Sequence, residues 1–216
     1  LVSQLDSQKW SEGDLLASVL DLLIVLTYPN GAQHRAQLVE YCEDSKILAC
    51  LITIMTEKFK EFPKLQSKCC WCLCNLTALG GSSSKTCINA GFLDIIPSII
   101  SSMVSESEHE TKSNEKRKDA EELVENVMIK TFRHNLILLL SQCLWLLANL
   151  CGEDLEFRDS ILKNGFIDTL LKVMKKFEGD VPKIRTATWL LSNIARGKPY
   201  PQIILVIILL FIYILE

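Results

Sequence analysis

Three times in this sequence a Trp precedes an Asn by four residues: Trp71 and Asn75 in WCLCN, Trp145 and Asn149 in WLLAN, Trp189 and Asn193 in WLLSN. Residues four apart share one face of a helix, one turn from each other. Each pair sets an indole beside a carboxamide, and stacked helices would align the indoles in one file and the amides in a second. A carboxamide carries donor and acceptor together, so the Asn file can hold the N–H and C=O groups of an extended peptide whatever its side chains. Neighbouring indoles form slots that suit the methylene stem of a Lys or Arg, whose charged head reaches past the rings. A cation over an indole face adds about 0.5–2 kcal/mol, according to its desolvation. A single Trp on a helix is usually core, and a single Asn near a helix end is usually a cap. The recurrence turns that balance. An unpaired buried amide costs roughly 1–3 kcal/mol, and an apolar helix does not carry it three times without a use.

The elements that must position these pairs are helices. Apolar residues recur at steps of three and four along the chain, with no run of strand-like alternation. The pattern predicts helices over 14–26, stopped by Pro29, Asn30 and Gly31; over 34–41 and 46–58; and from Pro63 to about Gly80. It continues with 82–89, 92–104, a long helix from about 134 to 153, then 155–163, 166–177, and a last one from Pro182 to Gly197. The order is short, medium, long, repeated, and the long third helix carries the pair each time. Trp145 and Trp189 are 44 residues apart. Trp71 and Trp145 are 74 apart, or about 42 once an insertion of roughly thirty residues is removed, which is the armadillo or HEAT period.

The expected fold is therefore all-α, an armadillo-repeat right-handed superhelical solenoid of about three repeats plus a partial one. Its units are a partial repeat 1–30, a repeat 31–81, a repeat 82–152 with a charged insertion at about 105–134, and a repeat 153–197. Such units stack because none can bury its apolar face alone. The apolar run 136–150 is read as a central third helix packed on both sides, which Gln142 and Asn149 fit better than lipid. The insertion is dense in charge and short of apolar anchors, and it is read as flexible, with room for a transient helix and with Lys116, Arg117 and Lys118 on a solvated loop.

Composition narrows the function. A net charge of -3 gives no overall basic footprint, so no nucleic-acid partner is expected. Nine Cys include Cys69, Cys70, Cys72 and Cys74. On a helix these four spread around the axis with no His near, so they are read as buried thiols, with no metal or other cofactor. The three His form no recognisable dyad with a Cys, and no phosphate-cradling loop or nucleophile elbow is present, so no enzyme is expected. The apolar part of the end segment, 203–215, is shorter than the ~20 residues a membrane helix needs. Residues 202–216 are read as an aberrant hydrophobic tail, and no membrane partner is expected.

Two longer stretches, QCLWLLANLCGEDLEFRDSILKNGFIDTLL (142–171) and IRTATWLLSNIARGKPYP (184–201), resemble the importin-α (karyopherin-α) family. The stretch 71–100 is a weaker match in the same register, and the first 60 residues match in helical pattern alone. The resemblance implies a nuclear import adaptor that binds the basic nuclear localisation signals of cargo proteins in a concave, Trp/Asn-lined groove, in cytoplasm and nucleus. It implies Trp71, Asn75, Trp145, Asn149, Trp189 and Asn193 as the binding array, with Gln142 beside the middle Trp. Glu153 stands in GED where the family places an Asp for the key Lys of the signal, and Ser84 stands where it has a Thr. Importin-β is an expected family partner, although the amino-terminal basic segment that recruits it is not seen here, which points to a truncated or divergent form. The alternative is a generic armadillo scaffold, or a degenerate paralogue, that binds another extended peptide.

Overall fold

The apolar spacing produces helices nearly wherever it predicts them. The structure, a computed structural model, describes residues 12–28, 37, 40–41, 46–55, 62–78, 82–109 and 120–197. Among these the regular elements are helices α1 (Glu12–Thr27), α2 (Ile47–Thr53), α3 (Pro63–Thr77), α4 (Ser82–Asn89), α5 (Phe92–His109), α6 (Ala120–Glu153), α7 (Leu155–Lys163), α8 (Phe166–Lys176) and α9 (Val181–Ala195). Most of the helix predicted over 34–41, the end of that over 46–58, Lys116 to Lys118 and the tail 202–216 lie outside the described residues.

Local signals set the helix ends. Pro63 opens α3, where its missing N–H leaves nothing unpaired. Asp154 caps α7 by accepting from the Phe157 N–H at 2.7 Å. Gly165 turns the chain into α8 at φ +70°, a conformation that a side chain would strain. Asp180 caps α9 by accepting from the Lys183 N–H at 3.3 Å and also pairs with the Lys183 ammonium. That ammonium's hydrogen bond holds the Asp180 carboxyl below the usual carboxylate range. A depressed carboxylate contributes stability above its unfolded pKa and loses it as pH falls through its folded value. Asp180→Asn keeps a capping oxygen and removes the titration. Thermal melts between about pH 5 and pH 2 should therefore show the variant losing less stability to acid than the parent. Equal losses would mean that the pair does not contribute.

The third helices α1, α3, α6 and α9 lie side by side, with α2, α5 and α8 backing α3, α6 and α9. α6 is central. It packs against both α3 and α9, and Leu139, Cys143, Leu144, Leu146, Ala148, Leu150 and Cys151 on it are almost fully buried. Each such side chain contributes about 1.5–3 kcal/mol when fully buried. The stretch Lys130–Glu153 is long and apolar enough to cross a membrane, and half of it is buried inside the protein. Packing on two sides accounts for its composition without a bilayer.

The Cys cluster divides between neighbours. The Cys72 thiol lies 3.8 Å from the Leu20 carbonyl of α1, and the Cys74 thiol 3.3 Å from the Gln142 carbonyl of α6. Burial pushes the Cys69, Cys87 and Cys151 thiols up to about 12 and raises Cys70 and Cys143 well above the ordinary thiol value. These groups are neutral packing residues at physiological pH. Among the described residues no group of three or more His, Cys, Asp and Glu gathers as a metal site.

The charged segment departs from expectation. The sequence predicts at most a transient helix before about 134, whereas α5 runs to His109 and α6 begins at Ala120. Val127, Met128 and Phe132 in this part of α6 are exposed. Core burial therefore does not hold α6 at these three positions. The run AEELVENVMIK is rich in Ala, Glu, Leu and Lys, which favour helix intrinsically, and that propensity outweighs the lack of apolar anchors.

Candidate functional site

The repeating register brings the three Asn side chains into one inter-helix ladder. Asn75 Nδ2 donates to the Ile24 carbonyl of α1 at 3.3 Å and to Thr27 Oγ1 at 3.1 Å. One repeat on, Asn149 Nδ2 donates to the Cys74 carbonyl at 3.0 Å and to Thr77 Oγ1 at 3.2 Å. Asn193 Nδ2 donates to the Ala148 carbonyl at 2.7 Å. Each amide thus reaches back to the preceding third helix, to the carbonyl just before the Asn position. This tie is a use of the buried amide that the sequence reading did not identify. The amino groups of Asn75 and Asn149, each with two hydrogens, are fully engaged inside the protein. The Asn193 oxygen is also engaged, accepting from Arg196 Nη2 at 2.7 Å. Among the described residues no hydrogen bond reaches Oδ1 of Asn75 or Asn149.

The indoles behave differently. Trp71, Trp145 and Trp189 are 42 %, 49 % and 38 % exposed, although they belong to the helices that build the core. Trp is highly buried on average, and a file of exposed large apolar groups marks an interaction surface. The Trp145 and Trp189 rings meet edge to face, centroids 6.1 Å apart at 89°. A methylene stem needs about 3.5–4.0 Å to carbon atoms on either side. The slot expected between these two rings is therefore closed by their own contact, and their remaining faces are what a ligand meets.

The other predicted residues fall in three settings. Glu153 ends α6 and is exposed. Gln142 is half-buried, and its Oε1 is buried without a hydrogen-bond partner. Ser84, in the first turns of α4, is 2 % exposed, with its Oγ buried and unpartnered. A peptide side chain would have to enter the protein surface to reach it.

Register also places residues that sequence reasoning missed. Because Ile24 plays the part of Cys74 and Ala148, Val25 of α1 stands at the Asn position and Asp21 at the Trp position. Asp21 is paired with Lys68 of α3. The three Trp/Asn rungs are thus preceded by an acidic one. At the other end Arg158 is completely buried and donates from Nη1 to the Arg196 carbonyl at 2.6 Å. A Cβ on Gly152 would lie 3.4 Å from both Arg196 Nη2 and Asn193 Nδ2, so Arg196 lies close to the turn that carries Glu153. Arg196 lies within the stretch 184–201 that carries the family resemblance, but the anchoring of its carbonyl by a buried Arg 38 residues earlier is not visible in sequence.

No family model matches the chain. Among curated proteins it is 25 % identical over 143 residues to importin subunit alpha-1b of Oryza sativa subsp. japonica, which covers 66 % of this chain and 21 % of that protein. It is 25 % identical over 168 residues to importin subunit alpha-2 of Arabidopsis thaliana, covering 78 % of this chain and 25 % of that protein. It is also 38 % identical over 60 residues, 28 % of this chain and 13 % of the relative, to importin subunit alpha-8 of the same plant. The chain thus spans a quarter or less of the length of these relatives. Among solved structures, a designed armadillo repeat protein in complex with the peptide (KR)4 matches with a TM-score of 0.57 at 15 % identity, covering 87 % of this chain and 61 % of that one. An engineered protein matches with a TM-score of 0.58 at 14 % identity, over 88 % of this chain and 36 % of that one. The structural likeness establishes an all-α armadillo solenoid. The chain is thus an armadillo protein whose sequence is similar to several importin-α subunits.

Proposed function

We propose that the chain binds basic, extended peptides of the nuclear-localisation-signal type along its Trp/Asn surface, as an import adaptor that works between cytoplasm and nucleus. We assign that surface to repeats bounded at 31–81, 82–152 and 153–197, with Trp71, Asn75, Ser84, Gln142, Trp145, Asn149, Glu153, Trp189 and Asn193 as its binding residues. The observation that carries the reading is the file of three exposed indoles at one register of consecutive third helices. The polar groups beside it support a cationic ligand. With the amino groups of Asn75 and Asn149 engaged between repeats, their Oδ1 atoms and the Glu153 carboxylate remain as acceptors, and Ser84 Oγ and Gln142 Oε1 can accept as well. Lys and Arg side chains carry donors and no acceptor, so they complement this set. The role of the amides narrows accordingly, from holding both backbone groups of a peptide to accepting from its donors.

The alternative is an armadillo scaffold for some other extended ligand. It draws on the Arg196–Asn193 hydrogen bond and the closed Trp145–Trp189 contact, which make the third rung less receptive to a cation. Titration of a fluorescent PKKKRKV peptide at low and high salt separates the two. The basic-peptide reading expects binding that weakens with salt and falls about tenfold or more, roughly 1.4 kcal/mol, in Trp145→Ala and in Glu153→Gln. Both residues are exposed, so both variants should stay folded. A folded chain that binds an uncharged peptide of equal length as tightly would favour the scaffold, and one that binds neither peptide would overturn both readings.

A further inference from the structure

The register that aligns the Trp and Asn files also aligns the residues around them. Three residues before each Trp stand Lys68 on α3, Gln142 on α6 and Thr186 on α9, and seven residues after it stand Ala78, Gly152 and Arg196. Steps of three and seven keep these positions on the helix face that carries the pair. The three junctions between third helices therefore differ in charge, and two of them already hold a cation of the protein's own.

At the α1–α3 junction the Lys68 ammonium pairs with Asp21, which stands at the Trp position of α1. At the α6–α9 junction the exposed Arg196 donates from Nη2 to Asn193 Oδ1 at 2.7 Å. The same Nη2 would lie 3.4 Å from a Cβ on Gly152, so the guanidinium spans the ends of both helices. The edge-to-face contact of Trp145 with Trp189 closes the same junction from the indole side. The α3–α6 junction between them is different. It offers Oδ1 of Asn75 and Asn149, with the exposed Glu153 carboxylate at the end of α6, and among the described residues no ion pair takes that carboxylate. Gln142 and Gly152 stand there where the neighbouring helices carry Lys68 and Arg196.

A ligand cation at either outer junction would meet an internal cation within about one helical turn, ~5.4 Å. Charges are screened only over about 8 Å at physiological salt, so the repulsion is felt. Asp21 and Asn193 Oδ1 can serve a ligand cation only by releasing the one they hold, which exchanges one contact for another. The central junction requires no exchange. We propose that Lys68 and Arg196 determine specificity on the Trp/Asn surface: its ligand sets a Lys or Arg over the α3–α6 junction and non-basic residues over the two outer ones. This rests on the peptide-binding reading and narrows its ligand class to a short cationic centre in place of a long basic run.

Neighbouring helix axes lie about 8–10 Å apart, roughly two to three residues of an extended chain at ~3.3 Å each. The outer junctions therefore meet the second and third residues on either side of the central one. The test compares the fluorescent peptides KKSKSKK and QQSKSQQ, titrated into the full chain at about 0.15 M salt. The parent should bind QQSKSQQ at least as tightly as KKSKSKK. Lys68→Gln with Arg196→Ala frees Asp21 and Asn193 Oδ1, and this variant should bind KKSKSKK about tenfold tighter than QQSKSQQ. Lys172→Gln with Arg185→Gln removes the same charge from other exposed positions and should keep the parent's order. A parent that binds KKSKSKK about tenfold tighter than QQSKSQQ would overturn the proposal and leave the peptide-binding reading standing. That comparison uses the parent alone and is decided whether or not the variants fold. An equal gain in the control variant would also overturn the proposal, since bulk charge would then account for it. A folded parent that binds neither peptide overturns the peptide-binding reading, and the proposal with it.

Discussion

Replacing Arg158 with Met is expected to lower the unfolding free energy by about 3 kcal/mol, measured by urea denaturation followed by circular dichroism. The guanidinium is fully buried and reaches both Arg196 and Asp159. Nη1 donates to the Arg196 carbonyl at 2.6 Å, where α9 ends, while Nε and Nη2 donate to Asp159 Oδ1 at 2.9 and 2.7 Å. Arg196 in turn donates to Asn193 Oδ1, so the end of the last third helix is held through one side chain on α7. Breaking a buried ionic contact commonly costs about 3–5 kcal/mol. The lower end applies here because the Asp159 side chain is 41 % exposed and its carboxylate returns to water when the partner is gone. Met keeps most of the stem volume, so the loss reports the hydrogen bonds more than a cavity. Gly197 offers an internal check. It sits at φ +103°, and a Cβ there would lie 2.6 Å from Leu155 Cδ2 and 2.8 Å from Arg158 Nη1. Gly197→Ala should be strained in backbone and in space. Combined with Arg158→Met it should cost less than the two singles together, because removing the guanidinium clears one of the two clashes. Strict additivity would mean that the two residues do not share the contact.

Much of this architecture was legible before any coordinates. The three- and four-residue spacing, Pro63, Gly165 and the Asp154 cap define helix ends locally, and α3, α7 and α8 lie close to where those signals put them. Recurrence of Trp at one register identified the exposed file, because repetition on an apolar helix is what a surface role leaves behind. The Asn ladder was not legible. A carboxamide can serve a ligand backbone or a neighbouring helix equally well, and Asn149 meets its partner Cys74 across 75 residues, a separation that spacing does not encode. The available hint was Thr77, two residues after Asn75, with Thr27 repeating it near Asn75's own partner. Arg158 was hidden for a related reason. Arg is almost never fully buried unless paired, and its pairing to the Arg196 carbonyl is a tertiary fact. The early onset of α6 rests on the intrinsic helix propensity of AEELVENVMIK, which the spacing of apolar residues does not register.

Asn149 is where the structural and functional readings meet, and two substitutions separate them. Asn149→Ala should cost about 1–3 kcal/mol, since the Cys74 carbonyl and the Thr77 hydroxyl lose a buried donor. Asn75→Ala should cost less, because its amide is only half-buried and water can replace it. Asn149→Asp keeps the shape but sets a carboxylate against the Cys74 carbonyl at the position where an amino group now lies 3.0 Å away. Thr77 offers little relief, since its hydroxyl is already directed at the Leu73 carbonyl at 2.8 Å. The Asp variant should therefore lose at least as much stability as the Ala variant, about 3 kcal/mol. Affinity for a basic peptide should move the other way. If the amide meets its ligand through Oδ1 alone, Asp retains the acceptor and adds a charge, so Asn149→Asp should bind PKKKRKV at least as tightly as the parent while Asn149→Ala binds more weakly. The comparison is made at low temperature and low denaturant, where all three proteins are folded. An Asp variant that binds as poorly as Ala would show that the amino group leaves its inter-repeat tie to donate to the peptide. The ladder would then be a resting arrangement that the ligand displaces.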